Sequence, residues 1–200
     1  MKLIVGLGNP GLEHDRSRHN VGWEVLDRVA RRHADPSAGV ARAKFHGLLL
    51  EANIGPERVL LLKPTTFMNL SGQSVVEAVQ FYRLDPANDL LVVADDLALP
   101  CGAIRLRGEG GPGGHNGLAD ITQRLASESW ARLRVGIDAP GQIPQAAYVL
   151  GRFRPDQQPL VESAIEDAVQ AVADWVTSGI TSTMNKFNRK IDNPQPTANQ

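Results

Sequence analysis

The chain predicts an α/β fold, a single domain built on a mixed, mostly parallel twisted sheet flanked by helices. Three observations carry that expectation. Short apolar runs of β-favouring residues alternate with amphipathic helical stretches through most of the 200 residues, the pattern of a layered α/β domain. Two of these runs, residues 45–52 and 58–63, follow one another too closely for a crossover helix, so some pairing must be antiparallel. Gly- and Pro-containing turn signals close most of the runs.

Residues 2–7 form a continuous apolar run stopped by Gly8-Asn9-Pro10-Gly11, the mark of a buried strand. Polar residues follow as far as Asn20. From there Val21, Val25, Leu26 and Val29 keep helical spacing, which predicts a helix to about Arg32 with Asn20 as its N-cap. The runs at 45–52 and 58–63 predict a hairpin, with residues 53–57 as a loop longer than the two-residue minimum. Ser71 opens a second helix, with Val75, Val76, Val79 and Tyr82 on one side, and Asp85-Pro86 stops it. Residues 90–94 are a buried strand ending on Asp95-Asp96. A further strand, 103–107, leads into residues 108–117, where six glycines in ten positions mark a loop. Residues 118–126 are helical, 133–137 form a half-buried strand and 161–176 a long amphipathic helix. The domain is expected over 1–190, followed by a flexible polar tail at 191–200.

Composition narrows the functional classes. At 42% hydrophobic and 22% charged, a chain this long removes roughly 70% of its unfolded surface from water and needs no disulfide or metal staple. The single Cys101 suits a reducing compartment. The first apolar run is too short for a signal-peptide core, and no run approaches the roughly 20 apolar residues of a membrane span, so a cytoplasmic protein without membrane attachment is expected. A net charge of −1 argues against coating nucleic acid by bulk electrostatics. Locally the balance differs: residues 101–155 hold seven Arg against four acids.

In open α/β sheets ligands collect beyond the C-terminal ends of strands. That rule selects the turn after Leu7, the segment after Lys63, the Asp pair after Ala94 and the Gly-rich loop after Arg107. Gly6-Leu7-Gly8-Asn9-Pro10-Gly11 matches a dinucleotide pattern, but Pro10 removes an amide and residues 12–18 lack an apolar helical face, so the required strand-loop-helix context fails. Asn9, Asn69 and Asn116 stand at these strand ends. Uncharged amides suit a polar ligand or a developing oxyanion, against the commoner use of Asn in turns. Should His19 meet Asp95, the carboxylate would fix the imidazole tautomer and leave the other nitrogen to take a proton from water. Capping is the structural alternative for that His. No G-x-S-x-G elbow and no metal-ligand spacing of His is present, and Cys101 is expected as a packed thiol.

The combination is more specific than its parts. Residues 3–11 (LIVGLGNPG), 17–22 (SRHNVG), 63–72 (KPTTFMNLSG), 95–102 (DDLALPCG) and 113–118 (GGHNGL), in this order, closely resemble bacterial-type peptidyl-tRNA hydrolase, from about residue 1 to 190. The resemblance implies a mixed sheet wrapped by helices, a monomer, and neither metal nor organic cofactor. It implies hydrolysis of the ester between a peptide and the ribose of tRNA, releasing tRNA for reuse in translation, with peptidyl-tRNA as the partner. By resemblance His19 is the catalytic base and Asp95 its partner. Asn9 and Asn69 place the ester and terminal ribose, and Asn116 binds peptide backbone. Met68, Phe67, His115 and Gly113 fall at substrate-contacting positions, and Arg107 and Arg134 at basic positions that meet tRNA phosphate. Three departures stand out: His14 where the family usually has Tyr, Pro112 where its loop commonly carries another His, and Ala94 where relatives often have His. His14 keeps a polar tip at that substrate-facing position, and Pro112 stiffens the loop. A catalytically silent RNA-binding module, like the plant splicing factors that resemble this family, is the alternative; the retained His-Asp pair with three Asn favours the enzyme.

Overall fold

A computed structural model describes residues 1–34 and 40–188. Strands β1 (Lys2–Gly6), β2 (Arg42–Lys44), β3 (Gly47–Ile54), β4 (Glu57–Pro64), β5 (Leu90–Asp96), β6 (Ile104–Arg107) and β7 (Ala131–Gly136) form a seven-stranded sheet in the order β2-β3-β4-β1-β5-β7-β6. β4, β1, β5 and β7 are parallel neighbours, whereas β3 and β6 run against them. The sheet is therefore mixed and mostly parallel, as the sequence predicts.

The helices are α1 (Val21–His33), α2 (Ser71–Tyr82), α3 (Pro86–Asp89), α4 (Asn116–Leu125), α5 (Gln145–Leu150) and α6 (Gln158–Phe187). Alternation along β1 explains the two layers: Ile4 enters a core cluster with Val25, Leu26, Ala168 and Trp175 of α1 and α6, while Leu3 and Val5 enter another with Val75, Val79 and Ile121 of α2 and α4. A stretch of strand covered on both faces is apolar at every position, which is why residues 3–7 and 90–94 show no polar alternation. The exposed edges are handled by charge and by capping. β2 carries Arg42 and Lys44, and on β6 the Asn188 side chain accepts from Leu106 N at 2.7 Å and donates to Leu106 O at 2.9 Å, replacing a neighbouring strand.

Several expectations need correction. Ile54 pairs with Glu57, so the hairpin turn is Gly55-Pro56 alone, with Gly55 at φ 58°, a conformation that suits Gly at the first position of a tight turn. The last helix runs well beyond residue 176 and breaks at Gly179, at φ 78°. α5 and β2 are six and three residues long, too short for periodicity to reveal. Asn20 precedes α1 but its side chain makes no capping bond. The expected tail, 191–200, lies outside the described residues.

Topology positions the site. β1 has β4 on one side and β5 on the other, so its C-terminal end is a point where connections diverge and a crevice opens. Gly22 fixes how closely α1 approaches that point. A Cβ there would lie 2.5 Å from Val93 O and 2.6 Å from Leu7 N, so only glycine lets the start of α1, and the turn that carries His19, rest directly on β1 and β5.

Candidate active site

His19 belongs to a 3-10 turn, Arg18–Asn20, immediately before α1. Asp95 is the penultimate residue of β5, and His115 precedes α4. All three side chains are buried. His19 Nδ1 lies 2.7 Å from Asp95 Oδ1, and His115 Nε2 lies 3.1 Å from the same oxygen.

Proton positions follow from the neighbours. His115 Nδ1 accepts the N–H groups of Gly117 and Leu118 at 3.1 and 3.3 Å, capping α4, so its ring proton sits on Nε2 and is donated to Asp95. An ionised Asp95 only accepts, so His19 donates from Nδ1, and the neutral ring carries its lone pair on Nε2. Burial alone would raise the Asp95 pKa, but His115 and His19 together more than reverse it and hold the carboxyl well below the usual carboxylate range. The three side chains also bring possible metal-ligand atoms within 4.8 Å of one another. Both nitrogens facing Asp95 carry protons, however, so the arrangement is two donors on one carboxylate and does not fit a cation's ligand set.

The Asn9 turn is locked against this centre. Asn9 N donates to Asn20 Oδ1 at 2.8 Å, and Asn20 Nδ2 returns a bond to Asn9 O at 3.1 Å. Asn9 Oδ1 accepts from Met68 N at 2.8 Å, which aims its Nδ2 the other way as a donor with no partner among the described residues. Met68 Sδ reaches the start of α4: a Cβ on Gly117 would lie 2.6 Å from it, 2.9 Å from Leu7 Cδ1 and 3.1 Å from His115 Cε1. The segments after β1 and β4 and the α4 N-terminus thus meet at one place.

A cavity of about 270 Å³ opens over the pair, lined by His19, Asp95, Gly113, His115, Asn116, Arg134 and, on α5, Gln145 and Val149. A larger cavity of about 500 Å³ lies between α1 and α6; apart from Asn20, its charged lining holds none of the groups above, and the chemistry selects the smaller one. Asn69 and Phe67 are exposed beside Met68. His14 is half-buried, with Glu13 at 3.9 Å, and no contact joins it to the His19–Asp95 pair. Arg107 is exposed at the end of β6 with its guanidinium on Leu106 O at 3.3 Å. Arg134 is engaged: it donates to Asp96 Oδ2 at 3.0 Å and to Gly111 O at 2.7 Å, tying the Gly-rich loop to β5. Burial holds Cys101 up at a pKa of about 11, with Asp138 adding to the effect, the state of a packed thiol.

Sequence reasoning missed Asn20 as a site residue, together with Asp96 and α5. Asn20 follows His19 directly, and a buried polar side chain there was the available signal; its partner is 11 residues away, beyond local pattern.

Residues 3–195 match the family model described as peptidyl-tRNA hydrolase. A peptidyl-tRNA hydrolase of Rhodopirellula baltica is 47% identical over 189 residues, covering 94% of this chain and 97% of that one. One from Clostridium botulinum strain Langeland is 43% identical over 188 residues, with 94% and 97% covered. Among solved structures, peptidyl-tRNA hydrolase from Acinetobacter baumannii superposes with a TM-score of 0.86 at 39% identity, over 94% of each chain.

Proposed function

The chain belongs to the peptidyl-tRNA hydrolase family, and on that premise we propose how its residues carry out the family's reaction. The protein hydrolyses the ester that joins a peptide to tRNA. His19 Nε2 takes a proton from water, and the resulting hydroxide attacks the ester carbonyl. Asp95 stays ionised throughout, holds the Nδ1–H tautomer and stabilises the imidazolium that forms. The tetrahedral oxyanion is met by the Asn9 amide Nδ2–H, already oriented by Met68 N. Collapse breaks the bond to the ribose oxygen, which leaves with the proton from His19. A peptide carboxylate and free tRNA result. The observation that carries this reading is the 2.7 Å His19–Asp95 contact beneath an open cavity.

The remaining assignments are supported by position. Asn116 and Gly113 line the cavity and suit peptide backbone. Exposed Asn69 and Phe67, with Met68 behind them, suit the terminal ribose and base. His115 holds Asp95 by its second ring contact, and we assign His14, in the segment between Asn9 and His19, to the substrate approach. Arg107, exposed at the end of β6, suits a tRNA phosphate; for Arg134, the Asp96 and Gly111 bonds would have to be shared with it. We place the catalytic unit at 1–190, acting as a monomer in the cytoplasm. No described helix is long and apolar enough to cross a membrane.

The test offers an N-acetyl-aminoacyl-tRNA and the same tRNA bearing an unblocked amino acid. Release from the blocked substrate alone supports the assignment of Asn116 and Gly113 to peptide backbone. Equal release from both would contradict it, and tRNA binding without release would return the chain to the RNA-binding alternative.

A further inference from the structure

The Arg of Ser17-Arg18-His19-Asn20 has no part in the steps above, yet it is buried beside the base. Its guanidinium has no carboxylate within ion-pair distance among the described residues. One terminal nitrogen donates to Tyr148 O at 3.2 Å and the other to Gln157 Oε1 at 2.9 Å, and its carbon lies 4.1 Å from the Tyr148 ring centroid. Nε has no partner. A cation taken out of water and paired only with neutral acceptors is a costly way to fill space, which an apolar side chain would fill without that cost.

The geometry shows what the guanidinium joins. Tyr148 lies in α5, and Arg18 N also donates to Gly151 O at 2.9 Å, just beyond that helix, while Ser17 bridges to Arg152. Another side of α5 presents Gln145, Ala146 and Val149 to the cavity above His19 and Asp95. At six residues, α5 is too short to hold itself by helix propensity. Gln157 is itself fixed: its Nε2 donates to Asp138 Oδ2 at 2.8 Å, and Asp138 Oδ1 accepts from Cys101 N at 2.7 Å. The negative charge of Asp138 thus faces Arg18 through one amide.

We propose that Arg18 is a positioning residue for the hydrolysis, one that holds the α5 wall of the cavity at a fixed distance from His19 Nε2. A substrate acyl group resting on that wall is thereby presented to the activated water at the right range. This rests on His19 being the base.

Arg18→Met keeps the length of the stem and removes every donor; Gln157→Leu withdraws one acceptor with Arg18 in place and covers the case in which the first variant fails to fold. Both are compared with His19→Ala on N-acetyl-aminoacyl-tRNA, with turnover expressed per folded molecule. The His19 Nδ1–H proton is followed by NMR. Misplacement on the ångström scale costs up to ~10²-fold, so Arg18→Met should lower kcat by roughly 10- to 100-fold, change KM by less than about 3-fold, and broaden the His19 proton signal. Gln157→Leu should move each readout in the same direction by less, and Arg18→Lys should recover part of kcat. Wild-type kcat and an unchanged signal in folded Arg18→Met, with His19→Ala inactive, would overturn the positioning role alone. Full activity in His19→Ala would overturn the reading beneath it as well.

Discussion

Asp95 is the residue on which the site's electrostatics turn. Its Oδ1 accepts from both His19 and His115, and its pKa lies below the ordinary carboxylate value despite burial. A carboxyl held lower in the folded than in the unfolded chain contributes stability that is complete above the unfolded value of ~3.9 and is lost as pH falls toward the folded one. Asp95→Asn should therefore be less stable than wild type at pH 7, by ~1–3 kcal/mol for two buried donors left poorly matched, with the gap narrowing on acidification through the carboxylate range. Urea unfolding of both proteins at pH 7 and near pH 3.5 measures this; a gap that widens on acidification would contradict the assignment. At this scale much was legible beforehand. Asp95 stands at the end of a strand, Asn9 and His19 in the segment between β1 and α1, and Asn116 at the end of the Gly-rich loop, where chemistry and topology coincide. Arg18 was not legible, because its acceptors lie 130 and 139 residues away and a buried guanidinium leaves no local pattern. The tie between Arg134 and Asp96 depends on the pairing of β5 with β7, which is equally invisible to sequence spacing.

At the scale of elements, the start of α1 is placed by backbone contact. The hypothetical Cβ of Gly22 would meet Val93 O and both Leu7 N and Leu7 O, at 2.5, 2.6 and 2.6 Å, and none of these atoms can swing aside as a flexible side chain would. Gly22→Ala should accordingly cost about 3 kcal/mol or more, at the upper end for overpacking, and should displace the His19 turn, so that activity per folded molecule also falls. An unchanged urea midpoint would show that the contact is looser than described. The fold's larger elements were readable because a helix such as Ser71–Tyr82 carries several turns of apolar period and β1 and β5 carry unbroken apolar runs, at residues 3–6 and 90–94. β2, α3 and α5 were not, since three to six residues hold too few repeats to distinguish a period. The hairpin turn was read too long because Asn53 and Glu57 look like loop residues, yet both pair across the ladder.

For the whole molecule, the near-neutral net charge of −1 and the employment of its basic residues set the manner of binding. Arg132 is buried on Trp130 and on loop carbonyls, and Arg134 is bonded to Asp96. Both are thereby engaged within the fold. Binding of tRNA should therefore involve on the order of two to four phosphate contacts, with a log–log salt slope of magnitude ~1.4 to ~3.6; a slope of about 6 or steeper would contradict that number of contacts. The central claim is narrower than binding, namely that one imidazole, aimed by one carboxylate, activates the water. Single-turnover cleavage of N-acetyl-aminoacyl-tRNA by wild type and by a correctly folded His19→Ala variant tests it most directly. A loss of roughly 10² to 10⁴ in rate with tRNA affinity preserved is the expected result, and near-wild-type cleavage by the variant would contradict it.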